Sequence, residues 1–166
     1  MWLIIVVSLV ILIIIYYFFI KNKECVIKDD KTAYKPKEFL LSKTEKIVYD
    51  AIHSYIQNNA LNLKVFPKMR LTDFLWSPKN DRNAYLRING KFVDFLIVEK
   101  PHMNPVAAVF IINDDNKSKM FSLNVISPAL KSANIKLINI PSKIVFKQNE
   151  LNDIIKKNME EYYEHK

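Results

Sequence analysis

Apolar and polar positions divide the chain into two unequal parts. From Trp2 to Ile20 no residue is charged, while every acidic and basic side chain falls between Lys21 and Lys166. As a helix the apolar run extends roughly 28 Å, close to the thickness of a bilayer's hydrocarbon core. Trp2 at one end and Tyr16-Tyr17 near the other stand where interfacial aromatics belong. A cleaved leader needs a basic segment ahead of a shorter apolar run and small residues before the cut. Here no basic residue precedes the run, and Lys21-Asn22-Lys23 follow it. The pattern predicts a transmembrane helix over residues 1–20.

Residues 21–41 are charged, contain Pro36 and show no sustained apolar period, which predicts a juxtamembrane linker. Residues 42–166 then read as one domain. Ser42-Lys-Thr-Glu45 fits a capping box, with Ser42 at the N-cap and Glu45 reaching back to its amide. Ile47, Val48, Ala51, Ile52, Tyr55 and Ile56 repeat at helical spacing, giving an amphipathic helix to about Gln57. Leu63–Leu71 predicts a strand in which Pro67 implies an edge or a bulge, and Thr72–Leu75 a helical turn. Asn89-Gly90 suits either a hairpin turn after Tyr85–Ile88 or the C-cap of a helix over Asn80–Ile88.

Phe92–Val98 and Val106–Ile112 are nearly continuous apolar runs of strand length, as in central strands covered on both faces. Met120–Ala133 predicts a helix interrupted near Pro128, Ile135–Ile140 a strand, and Glu150–His165 a terminal helix with Leu151, Ile154, Ile155, Met159 and Tyr162 on one face. The order is helix, three strands, helix, strand, helix, an α/β (α+β) arrangement.

Charge adds an orientation. The chain carries 25 basic and 17 acidic residues, a net +8, and Lys21, Lys23, Lys28, Lys31, Lys35 and Lys37 crowd the end of the apolar run. Basic residues beside a membrane helix stay on the cytoplasmic side, so the domain is expected there. The single cysteine, Cys25, agrees with a reducing compartment; lipidation there is a less economical reading. One glycine excludes a phosphate-binding glycine loop and a dinucleotide fingerprint. One cysteine excludes a thiolate zinc site, and His53, His102 and His165 have no ligand spacing.

Asp94 lies inside the first apolar strand, where a carboxylate is costly unless paired or metal-bound. By alternation it shares a face with Phe92, Leu96 and Val98, while Asp114 and Asp115 lie just beyond the next strand. Acids at adjacent strand ends, with a glutamate on a preceding helix, are how magnesium-dependent nucleases hold their metal. The competing reading pairs Asp94 with a lysine and leaves Asp114 and Asp115 in a solvated turn. On these residues alone that second reading is the better supported.

Leu40-Leu-Ser-Lys-Thr-Glu45, Val65-Phe-Pro-Lys-Met-Arg-Leu71, Lys91-Phe-Val-Asp-Phe95, Pro105-Val-Ala-Ala108 and Ile135-Lys-Leu-Ile-Asn-Ile-Pro141 stand in that order. Together they resemble the bacterial family called Domain of Unknown Function 2726, several members of which carry an N-terminal membrane helix. The resemblance covers roughly residues 40–160 and implies a restriction-endonuclease-like fold, a mixed sheet flanked by helices. It favours the helix-cap alternative for Asn89-Gly90. It also implies a metal site to which Glu45 and Asp94 correspond. Family members usually continue with Ile-Glu-Leu-Asp-Asp where this chain reads Val109-Phe-Ile-Ile-Asn-Asp-Asp115. Without a gap Phe110 replaces the glutamate; with a strand two residues longer Asp114 and Asp115 match the acid pair, but Ile112 replaces it. The implied catalytic set, Glu45, Asp94 and Asp114, is therefore vestigial, and Asp94 and Asp114 bind magnesium only if a site survives.

Between Asn116 and Asn149 the chain has lysines at 117, 119, 131, 136, 143 and 147 and no acid. Lys117, Lys119, Lys131 and Lys136 are candidate contacts for phosphates of nucleic acid or lipid headgroups; the plainer alternative is a solvated basic surface. Three functions remain in view. The first is a membrane-anchored nuclease-like domain without catalysis or cofactor, serving binding or scaffolding. The second is an active magnesium-dependent nuclease. The third is a component of a membrane protein assembly with no nucleic-acid role.

Overall fold

The computed structural model of the chain describes residues 2–21, 34–78, 80–113 and 115–164. It divides into two compact units, Met1–Glu38 and Phe39–Lys166. In the first, α1 (Trp2–Lys21) is a 20-residue helix with no acidic residue in its first turn. Among the described residues no helix is long and apolar enough to cross a membrane. The side chains of residues 3–8 and 18–21 lie outside that description, so it covers only part of the apolar run. Lysines 23, 28 and 31 and Cys25 also lie outside the described residues.

The second unit opens with α2 (Lys43–Asn58). The Ser42 hydroxyl accepts from the Glu45 amide at 3.3 Å, and the Ser42 amide donates to Glu45 Oε2 at 2.8 Å. Two of the helix's orphan donors are thereby satisfied. Val48, Ala51, Ile52 and Ile56 form its buried face. Then follow β1 (Leu63–Arg70), α3 (Leu71–Phe74), α4 (Arg82–Ile88), β2 (Phe92–Glu99) and β3 (Asn104–Ile112). After these come α5 (Lys117–Ser132), β4 (Lys136–Pro141), a 3-10 turn (Ser142–Ile144) and α6 (Gln148–Glu164). The sheet has the order β1-β2-β3-β4, antiparallel except for the parallel β3–β4 pair.

Strand alternation sorts the core into two layers. Phe95, Ile97, Val109, Ile111, Ile138 and Ile140 pack with Ile52, Leu151 and Ile155 on the face shared with α2 and α6. Leu96, Val98, Ala108 and Phe110 pack with Ile126 and Leu130 of α5 on the other. β2 is buried from Val93 through Val98, which is why its sequence reads as an unbroken apolar run. Each fully buried Leu or Ile contributes about 1.5–3 kcal/mol relative to an exposed one.

Three expectations are resolved by local chemistry. Asn89-Gly90 closes α4: the Asn89 amide donates to Tyr85 O at 2.9 Å, and Gly90 takes φ +73°, so the hairpin alternative is excluded. α5 starts at Lys117 rather than Met120 because Asn116 caps it, accepting from the Lys119 amide at 3.0 Å. It also runs without interruption past Pro128. Asn124 and Pro128 are both exposed, so the carbonyl that loses a donor there is reachable by water. Pro67 lies on β1, an edge strand, where a missing N–H is tolerated.

Candidate functional site

The site forms where the sheet's ladder opens. Pairing between β2 and β3 runs from Glu99↔Asn104 to Phe95↔Val109. One residue further along β2, the Asp94 side chain reaches across, and its Oδ2 accepts from the Ile111 amide at 2.7 Å. On β2's other flank the register brackets Lys68 opposite Asp94, between Pro67↔Phe95 and Met69↔Val93. Lys68 has φ +55°, a left-handed conformation that a lysine adopts only where its surroundings hold it.

Two ammonium groups converge on the acids. Lys119 Nζ, from the first turn of α5, lies 2.8 Å from Asp94 Oδ2 and 3.0 Å from Oδ1. Lys68 Nζ donates to Glu45 Oε1 and stands 3.8 Å from Asp94 Oδ1. One ammonium therefore bridges the helix acid and the strand acid. Each lysine also lies over an aromatic ring, Lys119 at 4.8 Å from the Phe110 centroid and Lys68 at 5.5 Å from that of Phe92.

Asp94 is 1% exposed, the one buried charged residue among those described. Burying a carboxylate is tolerable only when it is paired and its lone pairs are filled. Here Lys119 and a backbone amide fill them, Lys68 adds a second counter-charge at 3.8 Å, and the four charged groups sum to zero. At Glu45, burial pushes the carboxyl pKa up. The Lys68 hydrogen bond, the Ser42 amide and hydroxyl and the Lys68 charge together outweigh that effect and hold it below the usual value. Both Glu45 oxygens are engaged, one in the helix cap and one with Lys68.

Asp94 and Glu45 meet lysine and amide donors rather than further acids among the described residues. Among the described residues no three His, Cys, Asp or Glu side chains gather as a ligand set. A magnesium ion needs several oxygens in near-octahedral order, but those of Asp94 and Glu45 already accept from lysines and backbone amides. Phe110 is 1% exposed and offers a ring in that place.

The structure thus brings Glu45 and Asp94 together. Asp114 lies outside the described residues. Asp115 is exposed in the turn before α5, with its amide donating to Asn113 Oδ1 at 3.2 Å. Of the lysines named as phosphate contacts, Lys117 and Lys131 are exposed. Lys119 is held by Asp94, and Lys136 by Glu161 at 2.7 Å and Asn158 O at 2.9 Å. Lys68 is not marked by any local pattern, since β1 also carries Lys64 and Arg70.

The comparison that bears on identity is with protein families. A family model described as a protein of unknown function (DUF2726) matches residues 37–159. The chain belongs to that family. The DUF2726 match contains Glu45, Lys68, Asp94, Phe110 and Lys119 and leaves out α1. No curated protein and no solved structure matches the chain.

Proposed function

We propose that this chain is a membrane-anchored, nuclease-like DUF2726 domain that has exchanged its metal for lysines and acts by binding or scaffolding. Its soluble unit would lie at the cytoplasmic face of the bacterial inner membrane. The observation that carries this reading is the double pairing of Asp94. Lys119 and Lys68 supply internally the positive charge that a hydrolytic metal would otherwise bring, and an ammonium cannot activate a water as a metal does.

A restriction-endonuclease-like fold is supported by the helix, three strands, helix, strand order and by a sheet that is antiparallel up to β3 and parallel at β4. The anchor is supported by the 20-residue backbone helix over an uncharged sequence, with Tyr16 and Tyr17 exposed near its basic end.

The test is a nuclease assay on the full chain in zwitterionic detergent. It uses single- and double-stranded DNA and RNA with magnesium or manganese. No metal-dependent cleavage is expected. Cleavage that Asp94→Ala abolishes would instead establish an active magnesium-dependent nuclease.

A further inference from the structure

A cavity of about 250 Å³ opens beside the lysine–carboxylate network, between the turn at Gly90 and the start of α5. Its lining includes Lys91, Lys119, Ser118 and Ser122, with Phe92 and Phe110 as apolar wall and, among the described residues, no acidic side chain. An ammonium has three N–H donors. Lys119 directs its contacts at the two Asp94 oxygens, and Lys91 at Ser122 Oγ, 3.5 Å away. Among the described residues Lys91 has no carboxylate partner. Donor capacity is thus left facing a concave, partly desolvated space, where charge-assisted hydrogen bonds gain strength. Asp94 does not line the space, and its charge is already balanced by Lys119.

We propose that this cavity holds the phosphoryl group of a small phosphate ester. Lys91 is its cationic contact, the Ser118 hydroxyl and the one Lys119 N–H not spent on Asp94 are further donors, and the ester's organic arm rests on the Phe92 ring. The volume lies below the roughly 300–1,000 Å³ of pockets for drug-sized ligands, which restricts the occupant to a phosphoryl group with a short arm. A soluble phosphate monoester and a lipid headgroup share this chemistry. The inference rests on the proposed function in one respect: Lys119 is a fixed cation of the domain rather than a group displaced by metal.

The experiment uses the full chain in zwitterionic detergent, without divalent metal. Inorganic phosphate and glycerol 1-phosphate are titrated while the amides of Gly90, Ser118 and Ser122 are followed by NMR. A parallel arm measures binding to phosphatidylcholine vesicles with and without phosphatidic acid. Saturable shifts at those amides are expected, and Lys91→Gln weakens binding by about tenfold. Lys117→Gln, at an exposed lysine outside the cavity, changes binding by less than about twofold. If Lys91→Gln fails to fold, Ser118→Val supplies the same comparison.

Binding in the soluble arm identifies a free ester, and binding in the vesicle arm alone identifies a headgroup; both support the proposal. Three results overturn it: no saturation in either arm, equal weakening by the Lys91 and Lys117 variants, or shifts produced by duplex DNA alone. Metal-dependent cleavage with phosphate binding intact would contradict the proposed function alone. Absent phosphate binding in an inert protein would contradict this inference alone.

Discussion

Lys119 Nζ sits between the two oxygens of Asp94, at 2.8 and 3.0 Å, and 4.8 Å from the centroid of the Phe110 ring. Phe110 is one of two positions, with Ile112, that the family resemblance matches to a metal-binding glutamate, and its ring faces the Lys119 ammonium. A glutamate at position 110 would bring a second carboxylate into a buried site that now holds an aromatic face favourable to a cation. Lys68 repeats the pattern on the neighbouring strand, with Phe92 as its ring and Glu45 as its acid.

Removing the Lys119 charge should destabilise the domain severely. Lys119→Met leaves Asp94 buried with only Lys68 at 3.8 Å as a counter-charge, and breaking such pairs costs about 3–5 kcal/mol. Urea unfolding measures the loss. Adding Asp94→Asn should recover a substantial part of it, because the orphaned charge is then removed as well. A single variant as stable as the parent would show that the pair carries little energy.

The pH dependence of stability has a sign fixed by Glu45. Its folded pKa lies below the ordinary glutamate value of about 4.3, since Lys68 and Ser42 outweigh its burial. The unfolded state therefore binds protons first as the solution acidifies. The Glu45 contribution is complete above about pH 4.3 and is lost as pH falls through the lower folded value. Glu45→Gln keeps a side chain suited to the capping box while removing the charge. Its stability should fall less steeply than the parent's below pH 4.3, and parallel curves would assign the acid lability elsewhere.

Gly90 gives a prediction free of packing effects. It holds φ +73°, and a Cβ built there meets no atom within 4 Å. Gly90→Ala should then cost about 1 kcal/mol through backbone strain alone. Gly90→Asn should cost less, because asparagine tolerates the left-handed region better. Equal losses for the two variants in thermal unfolding would point to a different role for this position.

Much of this fold was legible because it is written in local periodicity. The capping box at Ser42 and Glu45, the two central strands and the terminal helix each announce themselves within a dozen residues. Asn89-Gly90 did not, since a left-handed glycine serves a hairpin and a helix end equally well. Only the Tyr85 carbonyl that receives the Asn89 amide distinguishes them. Asp94 was conspicuous as an acid in an apolar run, and a lysine partner was among its readings. Which lysines would pair with it depended on register and on how α5 returns across the sheet. Lys68 is 26 positions upstream and Lys119 25 downstream, and no local pattern connects them. In the sequence Lys119 reads as an unengaged lysine for the same reason: its acid partner is remote.

Topology provides an independent check on the anchor. The basic residues from Lys21 to Lys37 predict that a reporter fused after Lys166 reads as cytoplasmic. The mature protein should also retain residues 1–20 when its mass is measured from purified membranes. Periplasmic reporter activity, or a product lacking those residues, would contradict the anchor and its orientation.

Metal binding decides whether the lysines have replaced a catalytic ion. Manganese binding to the full chain can be followed by electron paramagnetic resonance, with magnesium as competitor. With Asp94 and Glu45 held by Lys119 and Lys68, the expected result is no saturable site up to about 5 mM ion, since the ligand oxygens are already committed. A single sub-millimolar site that magnesium displaces and Asp94→Asn eliminates would contradict the replacement of metal by lysine.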